Sequence, residues 1–415
     1  MTLSVDDLIE RKLVHEIHTS ERKSYRACRR RWNWLFRESR YPYVTAKPLE
    51  FGSAYHLAQE VYYNPDMWNW PRDVVARYAI KVFVDKCEEQ RKAFLEQTSV
   101  PYLEEEAQVD YDERVVLGQG MLKYYFFKIA PNIDAGWTPV KVEIAFMVAI
   151  PHPDTSETMW CKCDRCWEKW VKFKTKANHD YLTDFADKRD PLWIGLPVVY
   201  AGRCDMLAVD SNGDYWIFDW KTTARVNVDH DEFLELDDQV LSYIWALRKL
   251  GLPIRGFVYH EQKKAFPQPP NKNKVRRLGC IFSVSKSQDT DYETYLATIQ
   301  QEDEEAYQLG YYDDFLDYLR EEQIVYFRRW QIDKSPYQLQ QAELNIGKEA
   351  LEIIDPNLRI YPSPGRFGCT SCAFRQPCLE QNAGGDYQYA LDTLYERREH
   401  YYVRNEPSTD SRGGL

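Results

Sequence analysis

The sequence predicts an α/β core framed by helical additions. Apolar residues recur at helical spacing through the first third, short runs rich in β-branched and aromatic residues fill the middle, and helical spacing returns after about residue 290. A chain of 415 residues with 44% apolar and 15% aromatic side chains can bury a large core, in one elaborated domain or in two or three.

Each element follows from its local pattern. In FGSAYHLAQEVYY, 51–63, Phe51, Ala54, Tyr55, Ala58, Val61 and Tyr62 share one helical face, and similar patterns run over 72–96 and 103–130. Strands are predicted at 139–150, 196–210 and 214–223. The helical stretch 231–251 ends at Gly251, as a C-terminal glycine would end it. Strands at 256–262 and 279–285 follow, separated by a basic, proline-rich loop, and 290–355 reads as helix. The resulting division is an N-terminal helical region, 1–135, a core, 136–290, with an insertion at 151–195, a C-terminal helical region, 291–404, and a disordered tail, 405–415. No internal repeat is visible. With no run of 18 uncharged apolar residues and no apolar signal core at the N-terminus, a soluble cytoplasmic protein is expected, with no membrane partner. Cysteines there serve as thiols or metal ligands rather than disulfides.

The net charge of −11 is unevenly spread. Residues 21–40 carry eight Arg or Lys against two Glu, and 263–277 carry six with no acid. A single charge run is ordinarily a solvated face, but two basic segments in an acidic chain also suit a phosphate backbone.

GRCDMLAVDSNGDYWIFDWKTT, 202–223, holds the chemistry. Asp205 and Asp219 lie in otherwise apolar strands, where a carboxylate is costly unless a partner or cation compensates it. Asp219 and Lys221, two apart, project from one face. The turn decides where Asp205 stands. A two-residue loop at Asn212-Gly213 sets it opposite Trp220, on the wrong face. A three-residue loop, Ser211-Asn212-Gly213, with Gly213 in the left-handed conformation, sets it opposite Asp219. The three-residue loop is the expectation, with a divalent metal, Mg2+ or Mn2+, between the acids and Lys221 beside the attacking water. A buried ion pair of Asp and Lys is the bland alternative.

Taken in order, Glu143 in a strand, GRCD, DWK, and then Gln239 and Tyr243 in QVLSY resemble the PD-(D/E)XK nuclease superfamily in its RecB-like branch. The resemblance implies a mixed central sheet flanked by helices, with Asp205, Asp219, Lys221 and Glu143 bordering the active site. It further implies that Gln239 and Tyr243 order the site or contact DNA, and that His56 is a metal ligand. Glu60, one turn after His56, is left without a role. Members with an iron-sulfur cluster, the AddB-type subunit and the CRISPR-associated exonucleases, carry one cysteine before the nuclease motifs and three after them. Here these are Cys28 and the C-x2-C-x5-C of Cys369, Cys372 and Cys378. The resemblance implies a 4Fe-4S cluster, whereas four thiolates alone suit zinc equally well.

The expected function is a divalent-metal-dependent deoxyribonuclease, an exonuclease on DNA ends or single strands in recombination, repair or phage DNA metabolism. The alternatives are a structure-specific endonuclease of the same fold and a catalytically silent DNA-binding subunit. No Walker motif is present, so a helicase or recombinase partner would be a separate protein and no nucleotide cofactor is expected. The insertion contains CKCDRC, in which Cys161, Cys163 and Cys166 could bind zinc with His152 or His179.

Overall fold

A computed structural model describes residues 3–43, 47–98, 103–177, 181, 189–226, 230–277, 279–322 and 325–398. The tail assigned to 405–415, and His179, lie outside the described residues. The central sheet contains β1, His15–Ile17; β2, Thr138–Ala149; β3, Trp160–Cys161; β4, Leu196–Val209; β5, Tyr215–Thr223; β6, Ile254–Lys263; and β7, Phe327–Asp333. Its order is β1-β4-β5-β6-β7, with β2 and β3 also on β4. Pairing is mixed: β1 on β4 and β5 on β6 are parallel, while β2, β3 and β5 on β4 and β7 on β6 are antiparallel. The fold is therefore mixed α/β with helices on both faces of the sheet.

Two partners share β4. Val198–Tyr200 pair with β1 and Met206–Val209 pair with β5, leaving a gap in between. One sheet face packs on the helices Lys47–Tyr62, Arg72–Thr98 and Leu103–Tyr124, through Ala54, Tyr55, Ala58 and Tyr62 against Met206, Phe218 and Trp220. The other face packs on the helices Asp238–Lys249 and Pro336–Ile354, through Val240, Ile244 and Ile346 against Leu207 and Ile217. Burying both faces explains why the strands read as nearly continuous apolar runs.

Three local expectations are corrected. The stretch 231–251 is two helices, His230–Leu236 and Asp238–Lys249, because the Asp237 side chain accepts from the Gln239 and Val240 amides and starts a new helix. Gly251 does sit just past its end at φ +87°. Part of the basic loop, Lys272–Arg277, is a strand paired with Cys280–Phe282. Within 290–355, Phe327–Asp333 is β7 rather than helix, since β6 needs a partner on its outer edge. Among the described residues no helix is long and apolar enough to cross a membrane.

Much of the charge in the basic stretch 21–40 is paired within the protein, although of its basic residues only Arg22 and Arg40 are buried. Arg22, fully buried, donates to Glu349 at 2.6 Å and pairs with Asp238 at 2.9 Å. Arg26 pairs with Asp238, Arg29 with Glu352 and Arg40 with Asp392. Most of its charge ties the N-terminal helices to the C-terminal ones instead of facing a ligand.

Candidate active site

The site forms where β4 and β5 part. Their register, Met206 opposite Phe218 and Val209 opposite Tyr215, is that of the three-residue loop, and it sets Asp205 level with Asp219. Gly213, at φ +88°, closes the turn, and the Asp210 side chain accepts the Asn212 amide at 2.8 Å and the Asp214 amide at 3.0 Å. Beyond Met206 the backbone ladder stops. The Trp220 amide donates instead to Asp205 Oδ2, at 2.7 Å, so the side chain of one strand replaces the main chain it has left.

Asp219 is almost wholly buried. Its Oδ1 accepts from Gln239 Nε2 at 2.7 Å, and Lys221 Nζ lies 2.6 Å from its Oδ2. That Oδ2 makes an ion pair without an aligned hydrogen bond, a buried acceptor with capacity for a cation. His56 reaches the gap from the helix Lys47–Tyr62, with Nδ1 3.7 Å from Asp205 Oδ2. Glu143 stands on β2 between Val142 and Ile144, which face Met206 and Cys204, so it is level with Asp205 on the other edge of β4. Its φ of +51° is unusual for a non-glycine residue in a strand, and Arg203 donates to its Oε2 at 3.1 Å. Tyr243 is buried one turn beyond Gln239, its ring edge-on to Phe146 at 5.2 Å.

Crowded acids shift one another. Burial, and then Asp219, push the Asp205 carboxyl up to about 7, with Lys221 and the Trp220 amide opposing. Burial and Glu143 push Glu60 up to about 7. Glu143 is raised by burial and by Asp205. Burial opposes a charge on Lys221, but Asp219 and Asp205 outweigh it and hold the amine protonated. Burial, and then Lys221, lower His56, leaving a neutral imidazole free to act as a ligand. Glu60 is the residue that sequence reasoning set aside. Its one-turn offset from His56 was the available signal, and the structure brings it within electrostatic range of Glu143, Arg203 and Asp205.

The chain's two cysteine groups differ. Cys28 accepts from the Ser363 amide at 3.4 Å, Cys369 from the Gly365 amide at 3.4 Å, and Cys378 from Arg30 at 3.4 Å, so both ends of the chain meet. Cys372 and Cys378 pack on the small cluster of Trp34, Phe374, Leu391 and Tyr395. Cys161, Cys163 and Cys166 meet a histidine, but it is His15 of β1 and not His152, whose Nδ1 accepts the Asp154 amide in a local turn.

The sheet thus splits around paired acids and a lysine, with a glutamine from the following helix on one of the acids, which makes this gap the candidate active site. Residues 19–379 match the family model of the PD-(D/E)XK nuclease superfamily, and the chain belongs to that superfamily. The superfamily is one of nucleases, which in general cleave phosphodiesters. No curated protein matches it significantly.

Proposed function

We propose that the protein is a divalent-metal-dependent deoxyribonuclease of the RecB-like branch, acting as an exonuclease on DNA ends or single strands. The observation that carries this reading is the buried Asp205–Asp219–Lys221 set at the parting of β4 and β5, with Asp219 Oδ2 lacking an aligned hydrogen-bond donor. Asp205, Asp219 and His56 have the hard-oxygen and imidazole chemistry to hold Mg2+ or Mn2+. When bound, the ion would polarise a phosphate oxygen and lower the proton affinity of a water.

The side chains supply the rest. Lys221, kept charged by Asp219, orients the incoming water or phosphate and offsets charge that grows on the phosphorus oxygens. Gln239 fixes the Asp219 carboxylate so that its other oxygen faces the gap. As water adds to phosphorus and the bond to the leaving oxygen breaks, one proton must leave the water and one must reach the leaving alcohol. Glu60, with its carboxyl near 7, has the proton affinity for the first task at neutral pH. Tyr243 and Glu143 lie within electrostatic range of Asp205 and border the site.

The segment 21–40 offers little free charge for DNA. A surface cleft lined by Lys123, Lys128, Tyr124, Phe127 and Phe266, and also by the acids Asp291 and Glu293, combines exposed cations with rings on which bases can stack and is the candidate single-stranded track. Cys28, Cys369, Cys372 and Cys378 are proposed to hold a 4Fe-4S cluster, with zinc as the alternative.

End-labelled single- and double-stranded DNA, incubated with Mg2+ or Mn2+, tests the reading. Asp219→Ala should abolish cleavage, and Lys221→Ala should slow it about 10²–10³-fold. Cleavage unchanged in both variants would remove the proposed site. Stepwise shortening of the label separates an exonuclease from an endonuclease.

A further inference from the structure

The C-x-C-x2-C stretch builds a second site that the nuclease reading does not use. Cys161 ends β3, where it pairs with Leu196, and the chain turns through Cys163 into the helix Asp164–Ala177, whose first turn carries Cys166. Gly195, at φ +109°, lets the chain pass close to this turn, since a Cβ there would meet the Cys161 carbonyl oxygen at 2.8 Å. His15 comes from β1, which lies against the same strand through Val198. Its Nδ1 lies 3.4 Å from Cys166 Sγ and 3.9 Å from Cys163 Sγ, and the ligand atoms of all four residues lie within 4.8 Å of one another. Cys161 and Cys166 are buried, while His15 and Cys163 are half-buried.

Zinc bonds of about 2.0–2.3 Å in a tetrahedron set neighbouring ligand atoms about 3.3–3.8 Å apart, which is the scale seen here. Three soft sulfurs and one imidazole form a closed set, which leaves no position for water and suits a structural ion. Zinc with three thiolates and a neutral imidazole would carry one negative charge. Lys169 and Arg37 lie within electrostatic range of these thiols to balance it. The surroundings are tied in the same direction: Lys169 donates to the Val14 carbonyl at 3.0 Å and Arg165 to the Arg37 carbonyl at 3.1 Å.

We propose that His15, Cys161, Cys163 and Cys166 hold a structural zinc ion that staples the insertion to the first strand of the sheet. This rests on no assumption about the nuclease reaction. The test measures zinc and iron per chain by mass spectrometry in the full-length protein and in Cys163→Ser, Cys28→Ser and His15→Cys variants. X-ray absorption at zinc provides the second readout. Cys163→Ser should lose one equivalent of zinc relative to wild type, and Cys28→Ser should keep that equivalent. His15→Cys, which preserves four ligands, should retain the ion while its shell changes from three sulfurs at about 2.3 Å and one nitrogen at about 2.0–2.1 Å to four sulfurs. Zinc content unchanged in Cys163→Ser, loss of iron in its place, or a zinc shell in His15→Cys identical to that of wild type would each overturn the proposal.

Discussion

Asp205 concentrates the conflict between folding and function. Its carboxyl, pushed up to about 7 by burial and Asp219, takes up a proton on folding that the unfolded chain has already released above about pH 4. Between those values the native state binds more protons, so rising pH disfavours it. Glu60 acts in the same direction. Metal-free protein should therefore melt at a lower temperature at pH 8 than at pH 5.5, and Mg2+ should reverse most of the difference. A melting temperature that climbs steadily across this range without metal would contradict the account. Asp205→Asn should raise the metal-free melting temperature at pH 8 while eliminating cleavage, because the same charge that repels Asp219 is the one a cation needs. The placement of Asp205 was legible in advance, since turn length alone decides which face it takes. Glu60 was not, because helical spacing puts it near His56 without saying what else surrounds it.

At the level of elements, Arg22 joins three helices. Its guanidinium, from Thr19–Ala27, meets Asp238 at the start of the helix that carries Gln239 and Glu349 on the helix Pro336–Ile354, and also donates to Ser242. Arg22→Ala would remove the buried counter-charge of both acids and leave them only the more exposed Arg26, so urea unfolding should show a loss of stability below the about 3–5 kcal/mol of a fully uncompensated pair. Gly256 marks a second tight approach. A Cβ there would meet the Ile332 carbonyl oxygen at 2.5 Å and the Trp216 ring at 2.6 Å, so Gly256→Ala should also destabilise, and should do so without altering metal affinity. Local composition predicted the helices and strands well, but it did not reveal that much of the charge in 21–40 is paired within the fold. Charge counted along a window cannot reveal that the compensating acids lie more than 200 positions downstream, as they do for Arg22. β7 was hidden for a similar reason, since its short run between helical patterns gains its identity only by pairing with β6.

At the scale of the whole molecule, the region around Cys28 meets a segment more than 300 positions away in sequence. Cys28 and the 361–378 segment are in contact, with the Arg30 amide donating to the Tyr361 carbonyl at 3.1 Å. Linking ends separated by about 340 residues would stabilise the fold by several kcal/mol in the chain-entropy view. Cys28→Ser should therefore lower the thermal midpoint and expose the C-terminal segment to protease, while zinc at His15 stays in place. Equal protease resistance in wild type and variant would argue against a clasp. The family resemblance led to the expectation that Cys28 stands with the C-terminal thiols, and Cys28 does lie beside Ser363. The partner of CKCDRC was not readable, because a lone histidine in HEI has no local signature and finds its three thiols only when β1 docks on β4.

The Trp220 amide, bonded to a carboxylate where its neighbours bond to backbone, gives the protein an internal gauge. A hydrogen bond to a charged oxygen deshields the amide proton more than one to a neutral acid. Its resonance should move as Asp205 titrates and move again when an ion draws that oxygen away. Nitrogen-15 labelling of the 13 tryptophans, with the Trp220 amide assigned by a Trp220→Phe variant, would then read site occupancy continuously, with no substrate present and no bond broken.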